Sequence, residues 1–499
     1  MKKARPIMIQ GTTSNAGKSL VAAGLCRVLI QDGHSVAPFK SQNMALNSFV
    51  TLDGLEMGRA QVTQAQAAGL EPDVRMNPVL LKPTTDVGSQ VIVNGEVVGN
   101  MSAAEYYNYK RTLRPAVQKA YDALAAAYEI VVIEGAGSPA EINLKAEDIV
   151  NMGMAQMADA PVLLVADIDR GGVFASIYGT IALLEPEERS RIKGVIINKF
   201  RGDKAILQSG IDMITELTHI PVLGVLPYLN IDLDDEDSLT DRFSREPGAH
   251  CPLDIAVVRL PRISNFTDFD ALARHSSVGL RYVGAVQELG SPDMVILPGS
   301  KSTMADLLWM RQNGLEAAIK KLASAGVPVA GVCGGYQMLG NRLMDPYHVE
   351  SGGEMRGMAL LETETVFSPE KIRTRISGKV GTLTGALAAL SGAALFGYEI
   401  HMGNTRLLGK TQPFTVLEGG IGDGAISGNV FGSYVHGLFD GALGHALVNL
   451  LLARKGLCAE EGEQLSAAQH REQQFDLLAA AIRESFDMAT IYKIIGEGT

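Results

Sequence analysis

Cysteine is scarce in this chain: Cys26, Cys251, Cys333 and Cys458 are the four among 499 residues. They are widely scattered, with no Cys-x-x-Cys pair and none of the dense spacing of a disulfide framework, so a reducing cytoplasm is the expected compartment. Long apolar runs are missing as well. No uninterrupted stretch reaches the roughly 18 residues of a membrane span, and the opening Met1-Lys-Lys-Ala-Arg-Pro6 lacks the apolar region and cleavage site of a signal peptide. Basic charge is in deficit, 44 Lys and Arg against 55 Asp and Glu, for a net charge of −11. That balance argues against non-specific binding to nucleic acid or to an anionic membrane, and it leaves local sites for anionic substrates open.

What is present describes a globular protein: 46% hydrophobic and 20% charged residues. The length exceeds one ordinary core, and about three domains is the prior. The acidic, unpatterned Asp232-Leu-Asp-Asp-Glu-Asp237 and the following Arg245-Glu-Pro-Gly-Ala249 read as an exposed linker. The expected division is a parallel-sheet domain over 1–235, a linker over 236–251, a second α/β domain over 252–445 and a helical extension over 446–499.

Two motifs carry chemistry. Near the start, the short apolar Ile7-Met-Ile-Gln10 leads into Gly11-Thr-Thr-Ser-Asn-Ala-Gly-Lys-Ser19, and Leu20 to Ile30 continue with helical periodicity. Strand, glycine-rich loop, Gly-Lys-Ser and helix form the context of a phosphate-binding loop, although five residues separate Gly11 and Gly17 where the common form has four. Backbone N–H groups of Gly11, Thr12, Asn15 and Gly17 would cradle phosphates. Lys18 would reach the β- and γ-phosphates, and the Ser19 hydroxyl would ligate Mg²⁺. Glu129-Ile-Val-Val-Ile-Glu134 reads as a buried strand closed by a carboxylate, so Glu134 is either a second metal ligand or a plain surface acid. Lys40, in the loop after Val36-Ala-Pro-Phe39, and Asn198, at the end of Ile192–Asn198, occupy the strand ends where open α/β sheets bind ligands. Asn198 is a candidate for reading the adenine edge. Gly58 to Ala68 reads as a Gln-rich helix, either a substrate wall or a polar face, and Asn94-Gly95 marks a hairpin.

The second motif is Gly331-Val-Cys333-Gly-Gly335, which follows an apolar, valine-rich run and precedes a helical pattern. It repeats the G-x-S-x-G turn that presents a nucleophile, with sulfur in place of oxygen. Cys333 is therefore a nucleophile or, on the blander reading, a buried structural cysteine. A thiol nucleophile needs a base, and Val435-His-Gly437 delivers His436 about a hundred residues on, with Glu399 and His401 as rivals. Backbone N–H groups of Gly299, Ser300 and Gly334 are candidates for an oxyanion hole.

Taken together these residues resemble a known fusion. The first half is similar to the dethiobiotin synthetase-type P-loop enzymes, whose loop also has five intervening residues. The second half resembles the class I glutamine amidotransferases in its Gly-x-Cys-Gly-Gly-Tyr-Gln elbow and late Val-His-Gly. That order of halves is the pattern of the cobyrinate/cobyric acid synthase family. Phe39-Lys-Ser-Gln-Asn-Met-Ala-Leu-Asn47, Asp167-Ile-Asp-Arg-Gly-Gly-Val-Phe-Ala175, Asn198-Lys-Phe-Arg-Gly-Asp203 and Gly397-Tyr-Glu-Ile-His-Met-Gly403 resemble its cobyric acid branch. The resemblance implies Cys333 as nucleophile, His436 as its partner, and ATP, Mg²⁺ and glutamine as cofactor and co-substrates. It implies amidation of the b, d, e and g carboxylates of adenosyl-cobyrinic acid a,c-diamide through acyl phosphates. Ordinary triad amidotransferases carry a glutamate two residues after the histidine, and here that position is Leu438. The alternatives are a cobyrinic acid a,c-diamide synthase and, from another class, a ParA/MinD-like ATPase switch. The switch carries a second lysine five positions before the loop lysine, where this chain has Thr13.

Overall fold

The computed structural model describes residues 4–85, 88–233, 251–458 and 467–497. By packing, the chain divides into two units, one formed by Met1–Ala45, Leu55–Glu236 and Gln469–Thr499, the other by Leu46–Gly54 and Asp237–Ala468.

The first unit is built on a six-stranded sheet in the order Val222–Pro227, Ile192–Phe200, Val162–Asp167, Arg5–Gly11, Ile130–Glu134, Val36–Phe39. Every neighbouring pair in it is parallel. Parallel strands covered on both faces read as continuous apolar runs, and Ile130–Glu134 and Val162–Asp167 are buried at every position. Arg5–Gly11 lies between strands that come later in the chain on both sides, which makes its carboxyl end a topological switch point where such sheets place ligands. The helix Lys18–Gln31 leaves from that end. A smaller four-stranded sheet includes the hairpin Gly88–Val93 and Glu96–Ser102. Its turn, Asn94-Gly95, has φ of 50° and 80°, the left-handed pair that a two-residue hairpin requires.

Residues 446–499 do not stay together, unlike in the linear division. The helix Ala442–Arg454 packs into the core of the second unit through Leu443, Leu447 and Leu451. The helices Ala467–Ser485 and Met488–Glu497 instead contribute Phe475, Leu478, Ile482 and Ile491 to the core around Lys18–Gln31. The physical reason is shape: a β-carbon added at Gly24 would lie 2.2 Å from Ile482 Cδ1, so the two helices meet where the first has no side chain. Arg27 pairs with Asp476 at 2.8 Å beside this contact. Ile482→Ala is expected to destabilise this unit by about 2–5 kcal/mol, seen as a lower thermal midpoint. An unchanged midpoint would show that this helix does not support the sheet. The predicted linker, apart from Cys251, lies outside the described residues.

The second unit has its own six-stranded sheet, Val278–Val283, Leu253–Val258, Met294–Leu297, Val329–Val332, Val430–Ser433 and Ala425–Ser427, parallel except for the last pair. Against it stands a long antiparallel pair, Thr363–Val380 and Ala394–Leu407. Leu46–Gly54 joins this unit although it falls inside the first by sequence. Tyr398 donates to the Ser48 carbonyl at 3.0 Å, Arg375 Nε donates to the Val50 carbonyl at 3.1 Å, and Val50 packs with Tyr398 and Ile400. All four cysteines are free thiols. Among the described residues no helix is long and apolar enough to cross a membrane.

Candidate functional site

In the first unit, the loop after Arg5–Gly11 ends on Gly17, whose φ of 94° is a left-handed conformation that suits glycine, immediately before the helix. Lys18 is buried at 4% exposure, and its Nζ donates to the carbonyls of Thr13, Ser14 and Gly137 at 2.8, 3.0 and 3.0 Å. The loop is braced from the neighbouring strand. Asn198 Nδ2 donates to the Ala16 carbonyl at 2.9 Å and its Oδ1 accepts from the Lys199 N–H. Lys199 Nζ in turn donates to the Asn15 carbonyl and to Asp167, each at 2.8 Å. Asn198 thus braces the loop through its amide nitrogen, while its amide oxygen takes the N–H of the next residue of its own strand. The Thr12 N–H donates to the Val165 carbonyl at 2.9 Å, which ties the loop to the sheet.

Glu134 is fully buried and closes its strand beside this loop. Its Oε1 accepts from Ser19 Oγ at 2.7 Å and from Lys40 Nζ at 2.9 Å. Its Oε2 accepts from Gln64 Nε2 at 2.5 Å and from Gln61 Nε2 at 3.4 Å. A buried carboxylate persists only when paired and hydrogen-bonded, and Glu134 has both. The Gln-rich helix, Arg59–Ala67, therefore turns its polar residues inward, onto the acid. Ser19 and Glu134 place two hard oxygens side by side, the donor chemistry that suits Mg²⁺ next to phosphates. Glu134 thus joins Ser19, next to Lys18 in the chain, to Lys40 from the neighbouring strand end.

In the second unit, Val329–Val332 runs into Cys333, which sits at φ 50° and ψ −107° at the start of the helix Gly334–Leu339. A non-glycine residue at positive φ costs about 1–3 kcal/mol, a strain concentrated at functional sites. The flanking glycines make the turn possible: a β-carbon at Gly335 would lie 2.0 Å from the Leu297 carbonyl oxygen. A β-carbon at Gly334 would lie 2.8 Å from the Ser300 nitrogen, and one at Gly299 would lie 3.4 Å from His436 Cε1. Gly299, Ser300, Gly334 and His436 therefore converge on the cysteine. Cys333 Sγ lies 3.8 Å from the Ile400 carbonyl oxygen and interacts with the His436 side chain.

The residue that orients His436 escaped sequence reading. It is Asp268, in the short turn Phe266–Phe269, whose Oδ2 lies 2.7 Å from His436 Nδ1 and whose Oδ1 accepts from the Gly437 N–H at 3.0 Å. Burial depresses the His436 imidazole, but the Asp268 charge and hydrogen bond, together with Cys333, outweigh it and lift the group to about 10. The ring also stacks on Tyr398, with centroids 5.3 Å apart, and Tyr398 is itself held by Ser48 and by Asn265 Nδ2 at 2.8 Å. One signal could have pointed to Asp268: it lies in the loop that follows Leu253–Val258, at the carboxyl end of a central parallel strand. His401, a rival for the base, has its Nδ1 on the Gly403 carbonyl at 2.8 Å, and burial holds it down to about 4.

A phosphate-binding loop on one parallel sheet and a Cys–His–Asp constellation on another define the class: a nucleotide-binding unit fused to a glutamine amidotransferase unit, the build of a glutamine-dependent amidating ligase. Residues 7–238 match the CobQ/CobB/MinD/ParA nucleotide binding domain model, and residues 254–443 match the CobB/CobQ-like glutamine amidotransferase domain model. The chain is 55% identical to a cobyric acid synthase of Ruminiclostridium cellulolyticum, over 99% of this chain and 98% of that protein. It is 54% identical to one from Lachnoclostridium phytofermentans, over 99% and 100%, and 55% identical to one from Yersinia enterocolitica, over 98% and 98%. The chain belongs to the cobyric acid synthase family.

Proposed function

We propose that this protein amidates the b, d, e and g carboxylates of adenosyl-cobyrinic acid a,c-diamide in cobalamin biosynthesis, using ATP and glutamine, in a reducing cytoplasm. The observation that carries this reading is the joining, in one chain with full-length cobyric acid synthase relatives, of a phosphate-binding loop to a buried cysteine paired with His436.

The chemistry follows from the groups present. A carboxylate is a poor electrophile, so the γ-phosphoryl group of ATP passes to its oxygen, giving an acyl phosphate and ADP. Lys18, with N–H groups of the Asn15 to Ser19 turn, holds the phosphates and stabilises the moving charge, and Lys40 keeps the neighbouring Glu134 balanced. The Thr12 N–H, expected in that cradle, instead donates to the Val165 carbonyl. Magnesium, when bound, would neutralise phosphate charge, with Ser19 and Glu134 holding it directly or through water. At the other centre, Cys333 sulfur attacks the glutamine side-chain carbonyl, and the oxyanion is received by N–H groups from Gly334 and the Gly299–Ser300 turn. His436 gives its proton to the leaving nitrogen, ammonia departs and a thioester remains. Water, deprotonated by His436, then releases glutamate and restores the thiol. Ammonia displaces phosphate from the acyl phosphate to give the amide.

The direct test is mass spectrometry of the product formed from adenosyl-cobyrinic acid a,c-diamide, ATP and glutamine. Four amides gained is the expected result; amidation of only the a and c groups of cobyrinic acid would identify the a,c-diamide synthase instead. Asp268→Asn tests the support of the base. Glutamine-dependent turnover is expected to fall about 100-fold, while ammonia-dependent synthesis persists. Because the folded value of His436 is raised, its charged form contributes stability that is full below its ordinary value and is lost as pH rises through about 10. The stability gap between the native chain and Asp268→Asn should therefore narrow across that window. An imidazole NMR titration unchanged by the substitution would remove Asp268 from this role.

A further inference from the structure

The strand Ala394–Leu407 contains Gly397-Tyr-Glu-Ile-His-Met-Gly403, a motif of which the chemistry above uses only part. Alternate residues take opposite faces. Tyr398 and Ile400 pack with Val50 on one side. The other side presents Glu399, His401 and Gly403, and it meets the nucleophile's helix: a β-carbon at Gly403 would lie 2.2 Å from Gln337 Nε2, four residues after Cys333. His401 stacks on Tyr434 with centroids 3.7 Å apart, and Tyr434 accepts from Gln337 at 3.2 Å. The Ile400 carbonyl, between Glu399 and His401 in sequence, is the group 3.8 Å from Cys333 Sγ.

Both polar side chains on this face are acceptors without donors. A carbonyl can only accept, so the contact to Gly403 fixes the His401 proton on Nδ1 and leaves Nε2 as a lone-pair acceptor. Glu399 is a mostly buried carboxylate, and among the described residues no hydrogen-bond donor reaches it. Burial, with the like charge of Asp423 nearby, pushes it up to about 7 against the pull of His436. Asp423 shows the contrast: its oxygens accept from Ser433 Oγ at 2.5 Å, from Thr415 Oγ1 at 3.2 Å and from the Tyr434 N–H at 3.3 Å. A partly buried carboxylate with no donor is unfavourable by itself and becomes favourable when a cation with several N–H groups arrives.

We infer that Glu399 and His401 form the end of the glutamine site that receives the α-ammonium group, Glu399 as its counter-charge and His401 Nε2 as a second acceptor. This rests on the amidotransferase reading of Cys333 and names how that centre selects an amino acid over a simple amide. A substrate lacking the ammonium would leave this partly buried carboxylate unpaired, a cost that discriminates against it.

The test compares L-glutamine with glutaramic acid, which is glutamine with hydrogen in place of the α-ammonium. In Glu399→Gln, kcat/KM for glutamine is expected to fall about 100-fold, mostly through KM, while kcat/KM for glutaramic acid stays within about twofold of the native value. Equal losses on both substrates, or no loss on either, would overturn the assignment. Ammonia-dependent synthesis should be unaffected in the variant; a raised KM for ammonium with glutamine unchanged would give Glu399 to the released product and equally overturn it. Absence of Cys333-dependent glutamine hydrolysis in the native chain would overturn the amidotransferase reading itself, and this inference with it.

Discussion

Cys333→Ala is expected to lower glutamine-dependent amidation by at least about 10⁴-fold and to leave amidation driven by added ammonia near its native rate. The first half of that expectation follows from the chemistry. Without sulfur no thioester forms, and neither nearby histidine offers a replacement nucleophile: His401 is tied to the Gly403 carbonyl, and His436 is held by Asp268. The second half follows from the fold. Cys333 lies in the unit that contains Asp237–Ala468, while Lys18, Ser19, Lys40 and Glu134 lie in the other, each unit with its own core. Removing one sulfur from the second core leaves the first intact. The assay is best run at alkaline pH with excess ammonium, because ammonia is largely protonated near neutrality. Cys333→Ser keeps the volume and separates loss of chemistry from loss of fold, since it should match Cys333→Ala in activity and the native chain in thermal midpoint. Glutamine-dependent turnover surviving in both variants would require another nucleophile. Loss of the ammonia-driven reaction in both would return Cys333 to a structural role.

The parts of this protein that were legible in its sequence are those whose chemistry is local in the chain. The phosphate-binding loop and the cysteine elbow are strand–turn–helix units in which glycine, lysine and the nucleophile lie within about ten residues, so spacing alone carries the geometry. Glu134 was legible for a related reason: a carboxylate that ends an apolar strand has to find partners. Asp268 was not, because it reaches His436 across 168 residues and its turn has no periodicity to mark it. Leu438 in the usual acid position showed that support had to come from elsewhere, and could not show where.

Packing partition was less legible still. Leu46–Gly54 mixes Leu46, Phe49, Val50 and Leu52 with polar residues and carries no period that says where it packs, and it is placed by Tyr398, Asn265 and Arg375 far along the chain. The final helices read as a helical extension and nothing more, since the face they cover is determined by a glycine at position 24. Asn198 is an intermediate case: strand-end position brings it to the loop, where its amide nitrogen braces the Ala16 carbonyl, and does not by itself say what else the side chain meets.

Lys18→Met should abolish synthesis from either nitrogen source, by about 10³-fold or more, while glutamine hydrolysis at Cys333 continues. Methionine is chosen because Lys18 is 4% exposed: it keeps an unbranched, apolar stem in the buried position and removes only the ammonium. That ammonium does two things. It organises the loop through the Thr13, Ser14 and Gly137 carbonyls, and in the proposed reaction it would supply the positive charge that the transferred phosphoryl group needs. The two contributions can be separated by measuring ATP affinity alongside turnover. If the charge acts on the moving phosphoryl group, kcat falls far more than ATP affinity; if Lys18 only shapes the loop, affinity and kcat/KM fall together and kcat at saturation recovers. Synthesis persisting in Lys18→Met at saturating ATP would place the phosphoryl chemistry outside this loop. Continued glutamine hydrolysis is the informative control, because the Cys333–His436–Asp268 set is complete within the other unit. Paired with Cys333→Ala, the variant should divide the proposed reaction at its one shared intermediate: the cysteine variant is expected still to consume added ammonia, and the lysine variant still to produce it.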